Sequence, residues 1–348
     1  SKVDSKGDQI EGQNIFRSGR FNVITGLAYS KVKRKNDNFL SLDDVDFGPI
    51  FVVDESDKNE IKNPHGYVYT DINTWDSVNW TLGASYDHYE RDPIDEDTFS
   101  PKFGVRWDAS NTVQLRAVAL QVVKPALINN RTIEPTQVAG FNQFFDDINA
   151  TKSKLYGGGL DWRMMRNLSG GAEATWRFMD EPVLLGDDDV DFEDRKEQYY
   201  SLYLNWTPLD SLRVSAEAIY DKYSSEQGIA TEFDNLPEEV KTVSVPLSVR
   251  YFRPSGLFAG VAGTYVDQKV KRSEFSTQGQ GSDNFFLVDA AIGYRLPKRF
   301  GILSLEVKNV FDKEFNYQDD SYREFRDEPA TGPYFPDRTV LGQISVNF

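Results

Sequence analysis

Apolar and polar residues alternate along most of this chain with a period of two. From Leu168 to Phe178, the positions Leu168, Gly170, Ala172, Ala174, Trp176 and Phe178 fall on one side, and Ser169, Gly171, Glu173, Thr175 and Arg177 on the other. Successive side chains of an extended strand point to opposite faces, so the pattern describes a strand with one greasy surface and one wet one. Leu212 to Tyr220 repeats it, with Val214, Ala216, Ala218 and Tyr220 set against Arg213, Ser215 and Glu217. So do Trp80, Leu82, Ala84 and Tyr86 against Asn79, Thr81, Ser85 and Asp87, and Phe103, Val105 and Trp107 against Lys102, Gly104 and Arg106. In order, the pattern predicts about fifteen strands, at 8–17, 21–35, 64–74, 79–91, 99–108, 112–124, 152–164, 168–180, 195–207, 212–224, 241–252, 257–270, 284–296, 301–312 and 339–348.

The connections between these strands take turns between short and long. Short ones, such as Trp75-Asp76-Ser77, Ala109-Ser110-Asn111 and Pro208-Leu209-Asp210, are built from turn-forming residues. Long ones fall at about 36–63, 92–98, 125–151, 181–194, 225–240, 271–283 and 313–338. A soluble sandwich has little reason to gather its long loops at one end, whereas an outer-membrane barrel has short periplasmic turns and longer extracellular loops. Aromatics near the strand ends, among them Trp80, Trp107, Trp162, Trp206, Tyr220, Tyr251 and Tyr294, suit the two headgroup levels of a bilayer. The predicted fold is all-β, an antiparallel transmembrane β-barrel in the bacterial outer membrane, in contact with its lipid. A sandwich core rich in aromatics, belonging to a secreted acidic binding module, is the competing fold.

Composition removes other classes. The 348 residues carry 39 Lys+Arg against 55 Asp+Glu, a formal charge of -16 that argues against a nucleic-acid partner. A mean hydropathy of -0.54 suits water, yet alternating strands average to the same value. The apolar runs are far shorter than the roughly 18 residues of a membrane-spanning helix. With 39% hydrophobic and 14% aromatic residues, the chain is too greasy for an acidic disordered tail. The lack of Cys leaves no thiolate metal site and no disulfide framework. No nucleophile elbow, phosphate-cradling loop or histidine metal motif selects an enzyme, and no cofactor is implied. The two histidines, His65 and His88, read as ordinary polar residues.

Four stretches, three of them near the C-terminus, carry a family resemblance. Leu303 to Phe315, with Asn309-Val310-Phe311-Asp312-Lys313, resembles the penultimate strand of TonB-dependent receptors, and Pro336-Asp337-Arg338 leads into the last strand as in that family. Phe99-Ser100-Pro101-Lys102-Phe103 is similar to a strand opening common in these barrels. The last strand, with Ile344, Val346 and Phe348 on one face, resembles the signal read by the barrel-assembly machinery. The resemblance implies uptake of a bulky small-molecule ligand, such as a siderophore or oligosaccharide, driven through TonB. In that family a globular plug sits inside a barrel of about 22 strands. No plug or TonB box is evident in these residues, and strand parity leads one to expect at least one further strand upstream of Ser1, so the barrel portion is expected to be incomplete. A plugless barrel of about 16 strands for export or passive conduction is the alternative.

Candidate functional residues follow from position. On the long connection 125–151, Gln143, Phe144 and Phe145 combine amides with aromatics and are candidates for ligand contact, as are Tyr317 and Tyr322 on 313–338. The wet face carries Arg106, Arg116, Arg163, Glu173, Arg177, Arg213, Glu217, Arg295, Glu306 and Lys308. These line a channel or grip a plug, or else pair across neighbouring strands. The segment 180–194, with Asp187, Asp188 and Asp189 and no Lys or Arg among its loop acids up to Asp194, lacks the glycine-punctuated spacing of a calcium loop and reads as solvated surface.

Overall fold

The computed structural model describes residues 2–44, 48–128, 131–145, 147–184, 190–226, 236–274, 276, 278–319 and 333–346. Its strands are β1 (Lys2–Arg17), β2 (Phe21–Asp44), β3 (Gly48–Thr74), β4 (Val78–Arg91), β5 (Ile94–Ser110), β6 (Val113–Val123), β7 (Gln137–Val138), β8 (Phe141–Asn142), β9 (Lys152–Met165), β10 (Leu168–Leu184), β11 (Val190–Leu209), β12 (Leu212–Ser225), β13 (Pro237–Phe252), β14 (Leu257–Arg272), β15 (Gly281–Arg295), β16 (Gly301–Lys308) and β17 (Thr339–Val346). Fifteen of them form one sheet, ordered as in the sequence from β1 to β6 and from β9 to β17, while β7 and β8 form a ladder of their own. Each ladder is antiparallel, as a chain that folds back through hairpins requires. Two compact units divide the chain. One comprises residues 1–105, 118–154 and 180–192, and the other residues 106–117, 155–179 and 193–348.

All fifteen predicted strands are present, but several run further than expected. The connection 36–63 is mostly ladder, with β2 and β3 paired as far as Asp44 and Gly48. The connection 92–98 is not a long loop at all, since only Asp92 and Pro93 separate β4 from β5. Alternation marks a strand only where one face is apolar, whereas a ladder needs only backbone partners. The extensions of β2 and β3 mix acidic residues with apolar runs such as Ile50 to Val53, without a regular period of two, and so leave no periodic trace.

In both units the large apolar side chains of one parity stay exposed. In the first unit they include Ile10, Leu27, Leu82 and Phe103, and in the second Leu202, Leu247, Val261 and Ile292. Leu202 is 61% and Ile292 52% exposed. Apolar surface on this scale has no place in water and fits contact with lipid. The opposite face is polar, and there charges pair across neighbouring strands, as Lys308 on β16 does with Asp289 on β15 at 3.4 Å.

The end of β16 shows why the C-terminal motifs have the residues they do. The strand stops at Lys308 because Asn309 takes a left-handed conformation, φ 50°, which asparagine tolerates better than most residues. Its buried amide Nδ2 donates to the carbonyls of Lys313 at 3.0 Å, Phe335 at 3.3 Å and Pro336 at 3.2 Å, and its Oδ1 accepts from Lys313 N at 2.8 Å. Asp312 Oδ1 accepts from Arg338 N at 2.7 Å, and Arg338 Nε donates to Val310 O at 2.9 Å. Two motifs far apart in sequence thus form one lock. Beyond it, Ile344 and Val346 are exposed on β17, and Phe348 lies outside the described residues.

Two outcomes are expected. Asn309→Ala strands several buried polar groups and should cost about 2–4 kcal/mol of stability. Asn309→Gly should recover only the backbone part, about 1–2 kcal/mol, in thermal unfolding followed by gel mobility of unheated samples. Full recovery by glycine would show that the bonds contribute little. On the faces, Ala174→Arg places a charge among lipid tails at a cost of about 2–4 kcal/mol, while Thr175→Arg on the polar side should be tolerated. Equal yields of folded protein from the two variants would reverse the assignment of faces.

Candidate functional site

The first unit is organised around the connection between β6 and β9. Its base closes through Lys124 N to Thr151 O at 3.0 Å and Ala150 N to Lys124 O at 2.9 Å. Between these ends, β7 and β8 turn through Ala139 and Gly140, both at positive φ, 51° and 87°. Two such residues in succession give the twist that a two-residue hairpin needs. The hairpin lies against β5 at Gly104, where a Cβ would come within 2.7 Å of Val138. A larger residue there would push the hairpin off the wall.

Irregular backbone laid on a wall must still find partners, and alternate residues of β1 supply them. Gln9 accepts from Ile128 N at 2.9 Å and donates to Arg131 O at 2.9 Å. Glu11 accepts from Ile133 N at 3.0 Å and from the Thr132 hydroxyl at 2.9 Å. Gln13 donates to Ile133 O at 2.7 Å.

Next along the loop, Glu134 enters a buried cluster. Its Oε1 accepts from Lys102 Nζ at 2.9 Å and from the Tyr69 hydroxyl at 2.5 Å, and its Oε2 faces His65 Nε2 at 3.0 Å. The other ring nitrogen of His65 faces Asp87 Oδ1 at 2.7 Å. A donor on both sides of the ring is what the doubly protonated imidazole provides. Lys102 also donates to Ser85 Oγ at 3.0 Å and to the Tyr69 oxygen at 2.7 Å. Two cations and two carboxylates are therefore buried together, on β3, β4, β5 and the loop. For Glu134, which lies outside the strands, burial pushes the carboxyl up, but Lys102 and His65 outweigh it and hold it down at about 2.

Gln143 belongs to this cluster. It is buried, and its Nε2 donates to the Tyr69 oxygen at 2.9 Å and to Pro135 O at 2.5 Å. Its amide is occupied in latching the loop, which leaves Phe144 and Phe145, both half-buried, as the residues of that trio nearer to solvent. Sequence reading missed His65, Asp87, Lys102 and Glu134 as a group. Only the parity of Asp87 and Lys102, which places each on the wet face, hinted at it.

The second unit has its own polar groups. Arg116 joins Asp161 at 2.9 Å and Glu173 at 3.1 Å, and Tyr203 donates to Asp161. Arg177 meets Glu197 at 3.3 Å, and Lys308 meets Glu306 at 3.0 Å. Glu217 is half-buried, while Arg106, Arg163, Arg213 and Arg295 are exposed. At the far end of β14 and β15 a cleft of about 510 Å³ is lined by Gln268, Arg272, Gln280, Asp283, Asn316 and Tyr317 among others. Gln268 grips the backbone of Gln318 from both sides, accepting from its N at 2.7 Å and donating to its O at 3.0 Å. Tyr317 packs edge-on to Phe285 and Tyr334, with ring centres 6.4 and 5.0 Å away. Tyr322 and the acidic residues Asp187, Asp188 and Asp189 lie outside the described residues. Among the described residues no three or more His, Asp or Glu side chains are placed to hold a metal ion.

Comparison with known proteins agrees with this architecture. A family model for the TonB dependent receptor-like β-barrel matches residues 5–180. No curated protein sequence matches. Among solved structures, the FrpB iron transporter from Neisseria meningitidis aligns with a TM-score of 0.69 at 14% identity, over 99% of this chain and 55% of its own. The copper transporter OprC aligns at 0.67 with 15% identity, over 99% and 57%. The ferric-catecholate import receptor Fiu from K12 E. coli aligns at 0.62 with 14% identity, over 99% and 55%. The chain thus spans about half the length of the solved proteins it matches.

The buried cluster generates a sharp expectation. Lys102→Met leaves Glu134 without its strongest cation and should cost about 3–5 kcal/mol, exposing residues 124–151 to protease. Lys102→Met combined with Glu134→Gln should recover part of that loss. A double variant no better than the single one would mean that the two charges are not coupled. Because the folded-state carboxyl of Glu134 is held low, its contribution is complete above about pH 4.5 and is lost as the pH falls towards 2.

Proposed function

Because this chain belongs to the TonB-dependent receptor-like β-barrel family, and so to the bacterial outer membrane, we propose that it forms the barrel portion of an importer for a bulky small-molecule ligand. The family is one of receptors and transporters. The solved relatives named above carry iron, copper and ferric catecholate by their descriptions, and a ligand of siderophore or oligosaccharide size is the counterpart proposed for this chain. In this reading the inner-membrane energy arrives through TonB acting on a plug in the rest of a longer protein, and the barrel-assembly machinery reads Ile344, Val346 and Phe348.

The observation that carries the proposal is the family match together with the cleft at the long-loop end. That cleft is lined by Gln280 and Asn316, by the Asp283 carboxylate and the ring of Tyr317, and by Arg272, whose guanidinium donates to Gly279 O at 3.2 Å. Paired donors and acceptors beside an aromatic face suit an oxygen-rich ligand. Phe144 and Phe145 in the first unit are proposed as further contacts. The paired charges Arg116, Glu173, Arg177, Glu306 and Lys308, together with Arg106, Arg163, Arg213, Glu217 and Arg295, are proposed to keep the polar face wet.

The test uses the full-length gene in its own bacterium. Deletion should abolish accumulation of one labelled ligand from a panel of ferric siderophores and oligosaccharides, and a protonophore should reproduce the defect. Tyr317→Ala should raise the half-saturating ligand concentration about tenfold, the loss of one aromatic contact and its packing. Accumulation that continues when the proton gradient is collapsed would sink the energised-import reading.

A further inference from the structure

The apolar face of the second unit carries a feature that import does not use. Lys222 on β12 stands directly opposite Lys241 on β13, and Lys241 directly opposite Lys269 on β14. Opposed residues share a face, and this one is the lipid side, because Tyr220, two places before Lys222, is opposite Val243, and the row continues through Leu247, Val249 and Val261. Like charges placed directly across a ladder destabilise it. Glu239 relieves part of the repulsion, reaching Lys222 at 3.0 Å and Lys241 at 2.7 Å. Asp267 lies on the same face, one step nearer the membrane, yet Lys269 is exposed and makes no ion pair among the described residues. Lys222 and Lys241 thus share the one Glu239 carboxylate, and Asp267 is the acidic neighbour of Lys269 on this face, in a chain whose formal charge is -16.

Their height is informative. Lys222 follows Leu212, the first residue after the short turn from β11, by ten residues. At about 3.3 Å per residue and a tilt near 45°, that is about 23 Å, close to the roughly 25 Å apolar band of an outer-membrane barrel. The row therefore stands at headgroup level on the long-loop side, which is the outer leaflet. An apolar groove of about 700 Å³ lies lower on this face across β9 to β13, lined among others by Gly158, Ala174, Leu202, Ala218, Tyr220 and Val243, so that it shares β12 and β13 with the lysine row. Tyr220 and Val243, at its margin, are the next residues on this face below Lys222 and Lys241.

We propose that this surface seats one lipid of the outer leaflet that carries headgroup phosphates, with an acyl chain in the groove and phosphate on Lys222, Lys241 and Lys269. The two halves are complementary to the two halves of such a lipid. The lysines need an anion at that level, and the groove, whose margin at Tyr220 and Val243 lies just below Lys222 and Lys241, takes an apolar chain. A soluble anion would satisfy the first and leave the second unfilled.

The full-length protein, purified in mild detergent and analysed by native mass spectrometry, tests this. Diphosphorylated lipid A should remain bound, and enzymatically dephosphorylated lipid A should not. Inorganic phosphate at millimolar concentration should fail to displace it. Lys222→Gln, Lys241→Gln and Lys269→Gln together should weaken retention on the order of a hundredfold, since each surface lysine strengthens anionic-lipid attraction about fivefold, while the three Arg replacements should retain it. Ala218→Trp, which fills the groove with the lysines intact, should also release the lipid. Equal retention of the dephosphorylated lipid, or by the Gln variant, overturns the proposal, and displacement by inorganic phosphate reduces the site to a simple anion site. Should the Gln variant fail to assemble, the comparison of the two lipids on the unaltered protein decides alone.

Discussion

A peptide group that faces lipid has no water to bond, so each N–H and C=O in a membrane-spanning segment must find its partner in the protein. For this chain the solution is a hairpin ladder repeated from β1 to β17, each strand pairing with its neighbour in sequence apart from the step over β7 and β8. Once the backbone is satisfied in that way, side chains are left free to differ between faces. Leu202, Leu247, Val261 and Ile292 stay exposed on one side because the surroundings there are as apolar as they are. The same arrangement in water would be an aggregation surface.

The other face raises the opposite difficulty. It is polar, and long connections lie on it whose irregular backbone lacks a ladder. In three places side-chain amides or carboxylates from the wall take the part of the missing strand. Gln9, Glu11 and Gln13 read the backbone at Ile128, Arg131 and Ile133, Gln268 grips both sides of Gln318, and Asn309 binds carbonyls at Lys313, Phe335 and Pro336. Alternation makes this possible, because every second wall residue already points at the loop. The cluster of His65, Asp87, Lys102 and Glu134 extends the device to charges. Burying four charges contributes little net stability, but displacing any one of them is costly, so the cluster specifies a single position for the loop.

These two faces also separate two kinds of chemistry. On the polar side, groups such as Arg116 and Glu173 pair with each other, and a polar cleft lies at the ends of β14 and β15, around Arg272, Asp283 and Tyr317. On the apolar side of the second unit, charge begins at the Val243 level, where Asp267 stands opposite it, and the next positions up carry lysines in register. Height above the short turns, more than residue type, decides which environment a side chain meets.

The sequence alone determined the fifteen strands of the large sheet, their faces and the lipid-compatible side, because a period of two is written locally and repeats within each strand. It also contained the Asn309 and Arg338 motifs, although not their union, since residues so far apart carry no mark of being neighbours. The extensions of β2 and β3, whose apolar and acidic residues follow no period of two, and the tight link at Asp92 and Pro93 were invisible, because backbone pairing asks nothing of side chains. Register was invisible for the same reason. Alternation tells which face a residue takes, but not which residue stands opposite, so the pairing of Lys222 with Lys241 and Lys269 emerged only from the assembled sheet. The meeting of His65 with Glu134 across a separation of 69 residues required the loop to fold back on the wall. Contacts of that kind depend on where the whole sheet places its strands, and only the tertiary structure decides them.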